Sequence, residues 1–150
     1  MGYILQAIIG DAELLRKNCP ADNRVVPLPQ GKALIPLCGD VLEDNEIPFL
    51  PLTDEGTKEI ASSITEFVSF LIGRGSFAYV EAECFGGAGA QACVTWDADG
   101  ISSAPHIAPN AINTALRFLG VKIGDAHDEF DALGLGRHRD TSDWLAELTS

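Results

Sequence analysis

Glu81 and Glu83 stand two residues apart in the run Phe77-Ala78-Tyr79-Val80-Glu81-Ala82-Glu83-Cys84-Phe85. On a strand, residues two apart point to one side, so both carboxylates share a face with Phe77, Tyr79 and Phe85. Burial raises a carboxyl pKa and neighbouring carboxylates raise one another's, which is how general acids and cation ligands arise. If Cys84 opposes Cys93 on the returning strand, Trp96 falls opposite Glu81 and Val94 opposite Glu83. The plainer alternative is two acids on a solvent-facing rim or paired with an arginine, since structural pairing perturbs titration too.

Gly136-Arg137-His138-Arg139-Asp140 is the dense basic cluster of the chain. Arginine forks onto the oxygens of an anion or phosphate, and a histidine, as at position 138, is the side chain suited to general acid or base work. The cluster can equally be internal compensation for Glu81 and Glu83, or for Asp128, Glu129 and Asp131. The run Gly86-Gly87-Ala88-Gly89 leads into a strand and carries no lysine, so it reads as a hairpin turn rather than a phosphate cradle. There is no G-x-S-x-G elbow, and Asp97 and Asp99 lack the glutamate that would complete a calcium loop. Cys19, Cys38, Cys84 and Cys93 form no C-x-x-C pair and no zinc spacing with the histidines. Four free thiols, no metal and no cofactor are expected.

The elements that must position these groups follow from periodicity. Tyr3 to Ile9 reads as a strand, with Asp11 capping a short helix over 12–18. Pro-punctuated residues 25–30 are extended, Lys32 to Leu37 is a second strand, and 41–45 a second short helix. "AIIGDAELL" and "IPLCGDVLED" share one order, strand then Gly-Asp then acidic helix start, with the Gly-Asp pairs 29 residues apart. Two copies are as compatible with coincidence as with duplication. Ile60, Ile64, Phe67 and Leu71, widened by Val68, predict the strongest helix, capped at Thr53 or Asp54 and running to Ile72. A hairpin over 77–97 follows, then helices over 111–119 and 125–133 and a last turn carrying Trp144, Leu145 and Leu148. The expectation is one α+β domain over residues 1–150, its mixed or antiparallel sheet centred on that hairpin and packed by helices.

Charge restricts the partners. The 150 residues carry 10 Lys+Arg against 22 Asp+Glu, a formal charge of −12. Such a surface repels phosphate backbones and anionic headgroups, so no nucleic-acid and no membrane binding is expected. The acids concentrate between Asp40 and Glu66, at Asp40, Glu43, Asp44, Glu46, Asp54, Glu55, Glu59 and Glu66, with Lys58 alone opposing them. A solvated face explains them; so does a docking surface for a basic protein. The apolar run from Tyr3 precedes Arg16 and Lys17 instead of following them, unlike a secretory signal, and Gln6 stands where a myristoylation motif needs Ser or Thr. A cytoplasmic chain is expected.

"YVEAECFGGAGAQACVTW" and "DEFDALGLGRHRDTSDWL", with the opening "GYILQAIIGDAELL", resemble a family of short bacterial proteins of unsettled biochemical role. The resemblance assigns no catalytic residue. In its profile of size, acidity and α/β content the chain is similar to bacterial immunity proteins, which neutralise basic toxin domains. A non-enzymatic inhibitor of that type is the leading expectation. A small enzyme or ligand sensor using Glu81, Glu83 and Trp96 with Arg137, His138 and Arg139 is the second, and a homodimer formed through a sheet edge the third.

Overall fold

β1 (Tyr3–Asp11) is apolar on both sides apart from Gln6 and the exposed Asp11 at its end, the pattern of a strand covered on both faces. The computed structural model describes residues 2–18, 24–54, 56, 58–85 and 88–147. It places β1 inside a six-stranded open sheet of order β2-β3-β1-β4-β5-β6, every neighbouring pair antiparallel. The other strands are β2 (Val26–Pro27), β3 (Lys32–Pro36), β4 (Phe77–Phe85), β5 (Ala88–Trp96) and β6 (His106–Ile107). The helices are α1 (Ala12–Asn18), α2 (Asp40–Asp44), α3 (Ser62–Phe67), α4 (Ala111–Phe118), α5 (Glu129–Ala132) and α6 (Asp143–Ala146). The α+β class and its antiparallel sheet around a central hairpin are as expected.

Alternation along the strands divides the apolar residues between two cores. Leu5, Ala7 and Ile9 of β1 join Val80 and Ala82 of β4 under Ile112, Ala115 and Leu116 of α4 and Trp144 of α6. On the other face Ile8, Phe77, Tyr79, Val94 and Trp96 pack against Leu15 of α1, Val41 of α2, and Ile64, Val68 and Leu71. The α4 stripe is as the periodicity predicts, and Gly120, at φ +87, ends that helix in a conformation side chains resist.

The C-terminal segment finishes one side of β1. β3 stops at Pro36, and Leu37 N–H donates to Gln6 O at 2.8 Å. Beyond it Ile4 N–H donates to Arg139 O at 2.8 Å. The Thr141 hydroxyl donates to Ile4 O and accepts from Gln6 N–H, each at 3.2 Å. Backbone groups that would otherwise be stranded are thus satisfied by residues more than 130 positions away in sequence.

Three local expectations need correction. α3 starts at Ser62, not near Asp54, and runs on as a single 3-10 turn over 68–70. Gly56 has φ +70, and the N–H groups of Leu52 and Thr53 donate to Glu81, so the backbone there is committed elsewhere. The hairpin pairs Cys84 with Gly89, Val80 with Cys93 and Phe77 with Trp96, four residues from the expected register. An even slip preserves which face each side chain takes, so Trp96 keeps its face but stacks on Phe77, ring centres 4.7 Å apart, instead of opposing Glu81. Cys84 and Cys93 are therefore not partners; with Cys38 they are free thiols, while Cys19 lies outside the described residues. The matching Gly-Asp pairs also differ. Gly10-Asp11 closes a strand, with Asp11 paired to Lys32 at 2.7 Å, whereas Gly39 turns at φ +55 before α2.

Candidate functional site

Glu81 is fully buried, although it shares its strand face with half-buried Glu83. What separates them is the irregular strap over residues 47–54, which crosses that face above Glu81. Glu81 Oε1 accepts from Leu52 N–H at 3.1 Å, Thr53 N–H at 2.9 Å and the Thr53 hydroxyl at 3.0 Å. Oε2 accepts from the Tyr79 hydroxyl at 2.6 Å. A buried carboxylate needs partners for its lone pairs, and here neutral donors supply them; no Lys, Arg or His pairs with it among the described residues.

Gln6, opposite Glu81 on β1, extends the network. Its amide donates to the Tyr79 hydroxyl at 2.9 Å and to Pro48 O at 3.0 Å, and its carbonyl accepts from Leu50 N–H at 3.2 Å. Leu50 and Glu46 hold φ of +45 and +54, a region that L residues with side chains rarely adopt. The strap is held from beneath in this shape by Gln6 and Glu81. The Tyr79 hydroxyl keeps its proton far above the ordinary phenol range, first through burial and then through the Glu81 charge.

Glu83 is different. Its carboxyl pKa is raised by desolvation first, then by the charge and hydrogen bond of the Asp54 carboxyl, and by Glu81. A raised folded-state value stabilises below the ordinary carboxyl range, near 4.5, and that contribution is lost as pH rises through the folded value. At neutral pH the Glu83–Asp54 pair therefore opposes folding. Glu83→Gln is expected to raise the thermal midpoint at pH 7 by about 1–2 °C and to flatten its dependence on mildly acidic pH. Differential scanning calorimetry across that range checks it, and a lowered midpoint at pH 7 would refute the account.

The basic cluster lies across the sheet from Glu81. Arg137 Nη2 is 3.4 Å from Glu147 Oε2, and its guanidinium sits 5.0 Å from the Trp144 ring centre. His138 Nε2 approaches the same Glu147 oxygen at 2.5 Å and meets Trp144 edge-on. Trp144 belongs to the core under α4, whereas Tyr79 and Glu81 face the strap, so the sheet separates the two groups. Compensation is thus internal, but its partner is Glu147 and not Glu81, Glu83, Asp128 or Asp131; Glu129 pairs with Arg117 at 3.0 Å. Arg139 is exposed and contributes its carbonyl to β1.

The acids of the proposed docking surface occupy the layer over the strap face. Asp40, Glu43, Asp44, Glu46, Asp54 and Glu59 are all exposed, and Glu55 lies outside the described residues. Asp44 and Glu46 meet Glu66 and Phe67 of α3 around a cleft of about 260 Å³. Phe49, at the crest of the strap, is half exposed among them. Among the described residues no set of three His, Cys, Asp or Glu is arranged to hold a metal, and no helix is long and apolar enough to cross a membrane. The chain matches no protein family, no curated protein and no solved structure.

Gln6 and the strap are the functional-site residues that reading motifs misses. One polar residue inside an otherwise apolar central strand was the available signal. The strap itself has no periodicity.

Proposed function

We propose that this chain is a non-enzymatic binding protein whose acidic layer of α2, strap and α3 docks a basic protein, in its most concrete form a toxin domain neutralised by an immunity-type inhibitor. The observation that carries the reading is that exposed Asp40, Glu43, Asp44, Glu46, Asp54 and Glu59 flank a strap whose shape is held from below by Gln6 and Glu81. A surface already ordered before contact loses little conformational freedom on binding, and its field speeds encounter with a cationic partner. The same network occupies Glu81 fully, so its carboxylate has no lone pair turned toward a substrate. The Glu81, Glu83 and Arg137–Arg139 arrangement of an enzyme or sensor is not supported, because the sheet separates its two halves.

Affinity capture on the immobilised chain from its host's lysate is expected to recover a basic protein. Binding should weaken at least about tenfold between low and high salt, chiefly through slower association. Lysines at positions 40, 43, 44 and 46 should abolish capture while leaving the circular dichroism spectrum unchanged. Recovery of no basic protein, or equal capture by the lysine variant, would overturn the reading.

A further inference from the structure

Within the strap, Phe49 is the large apolar side chain turned outward. Ile47, Leu50 and Leu52 on either side of it are buried, while Phe49 is 49% exposed. A phenyl ring in water forgoes the burial that ordinarily stabilises it, so its position has to be set by other contacts. Gln6 supplies them. Its amide donates to Pro48 O at 3.0 Å and its carbonyl accepts from Leu50 N–H at 3.2 Å. One fully buried side chain thus grips both peptide groups that flank the Phe49 Cα. Leu50, at φ +45, fixes the turn that follows, and prolines at 48 and 51 narrow the backbone further.

The chain around this ring is acidic and brings no cation of its own. No Lys, Arg or His occurs between Lys32 and Lys58. Exposed Glu46 stands three residues before Phe49. Asp54 N–H donates to Leu50 O at 2.9 Å, which folds exposed Asp54 back beside the residue that follows Phe49. Among the described residues no ring and no guanidinium stacks on Phe49; the guanidinium found over a ring is that of Arg137, on Trp144. An aromatic face carries negative charge density and attracts cations. A ring set in place beside carboxylates therefore suits a cation that is flat and weakly hydrated.

We propose that Phe49 is the anchor of the acidic docking surface and that its occupant is an arginine side chain of the basic partner. The guanidinium lies on the phenyl face, and its N–H groups reach toward the carboxylates of Glu46 and Asp54. This deepens the docking reading and rests on it. Charge complementarity selects the occupant. An apolar or acidic partner would enter the negative field of residues 40–54 with nothing to offset it. Lysine brings the charge, but as a compact, strongly hydrated ammonium that cannot fork onto a carboxylate; arginine both forks and stacks. Because Gln6 sets the ring beforehand, little ordering cost remains to be met on contact. Aromatic anchors ringed by polar contacts are where interfaces concentrate their binding energy.

Two capped Gly-Ser peptides of equal charge, one carrying three arginines and the other three lysines, test this by titration into the intact 15N-labelled chain at low salt. The arginine peptide is expected to bind about three- to fivefold tighter than the lysine peptide. Its δ-methylene protons should move upfield, because the ring current shields protons above its face. Phe49→Ala and Phe49→Leu should each bring the two peptides to equal affinity and cancel the upfield shift, with the thermal midpoint nearly unchanged. Leucine keeps most of the apolar area, so it separates the ring from mere contact. Should Phe49→Ala fail to fold, Phe49→Leu carries the test alone. Equal affinities in the unsubstituted chain, a preference that survives Phe49→Leu, or no binding of either peptide would each overturn the anchor. Its failure is distinct from that of the docking reading: a basic protein captured from the lysate equally well by Phe49→Leu leaves the acidic surface in place and removes only the anchor.

Discussion

Replacing Glu81 with leucine is expected to remove about 3–5 kcal/mol of stability, close to the loss seen when one member of a buried polar group is deleted. Leucine matches the volume but accepts nothing. It leaves Leu52 N–H, Thr53 N–H and the Thr53 and Tyr79 hydroxyls facing an apolar side chain. Each buried donor left unpaired costs about 1–3 kcal/mol, and the strap can recover part of this only by lifting into water. Tyr79→Phe removes one donor to the carboxylate and one acceptor for Gln6, so its cost should be smaller, about 1.5–3 kcal/mol. Urea denaturation monitored by tryptophan fluorescence measures both. An effect under about 1 kcal/mol for Glu81→Leu, or a larger effect for Tyr79→Phe, would mean that the strap is held by something other than this carboxylate.

The importance of Glu81 is only partly legible in the sequence. Its strand, its face and its closeness to Glu83 follow from a period of two. Its burial does not, because the covering segment is a non-periodic stretch 28 residues upstream, Pro48-Phe49-Leu50-Pro51-Leu52-Thr53. The same segment explains why α3 begins late. The stripe from Ile60 to Leu71 is equally apolar whether or not a helical turn precedes it, so periodicity places the face of the helix but not its start. Hairpin register escaped for a related reason. A Gly/Ala-rich connection permits several pairings, and those that differ by an even number keep every side chain on its proper face. Arg137 and His138 found their partner in Glu147, ten and nine residues on in the chain, which charge arithmetic alone does not single out.

Above pH 9 the protein is expected to lose stability steeply. Burial holds the Tyr79 and Tyr3 hydroxyls well above the ordinary phenol range, and pushes the Cys93 thiol from 9.0 up to about 11. A raised folded-state value means that the folded chain keeps protons which the unfolded chain has released. The stabilising contribution is complete below the unfolded values, near 9 for the thiol and 10 for the phenols, and declines as pH climbs toward the folded ones. Between pH 10 and 11 these three groups together lower the unfolding free energy by about 3 kcal/mol. Urea titrations at successive pH values give the slope, and Tyr79→Phe should reduce it by roughly one proton's share. Tyrosinate absorbance should appear together with unfolding. Its appearance near pH 10 in a protein that retains its near-ultraviolet circular dichroism would contradict the burial of both hydroxyls.

The closing of β1 by Thr141 and Arg139 also has a temporal side. Ribosomes add about 5–20 residues per second, so about 7–27 s separate the synthesis of Gln6 from that of the threonine that accepts its N–H. During that interval β1 first lacks β4 and then lacks its last edge, and its continuous apolar stretch has no final cover. Contacts so distant in sequence also slow the search for the native pairing once the chain is free. The emerging chain is therefore most vulnerable to aggregation and proteolysis through β1, which is made well before the strands and the segment that cover it.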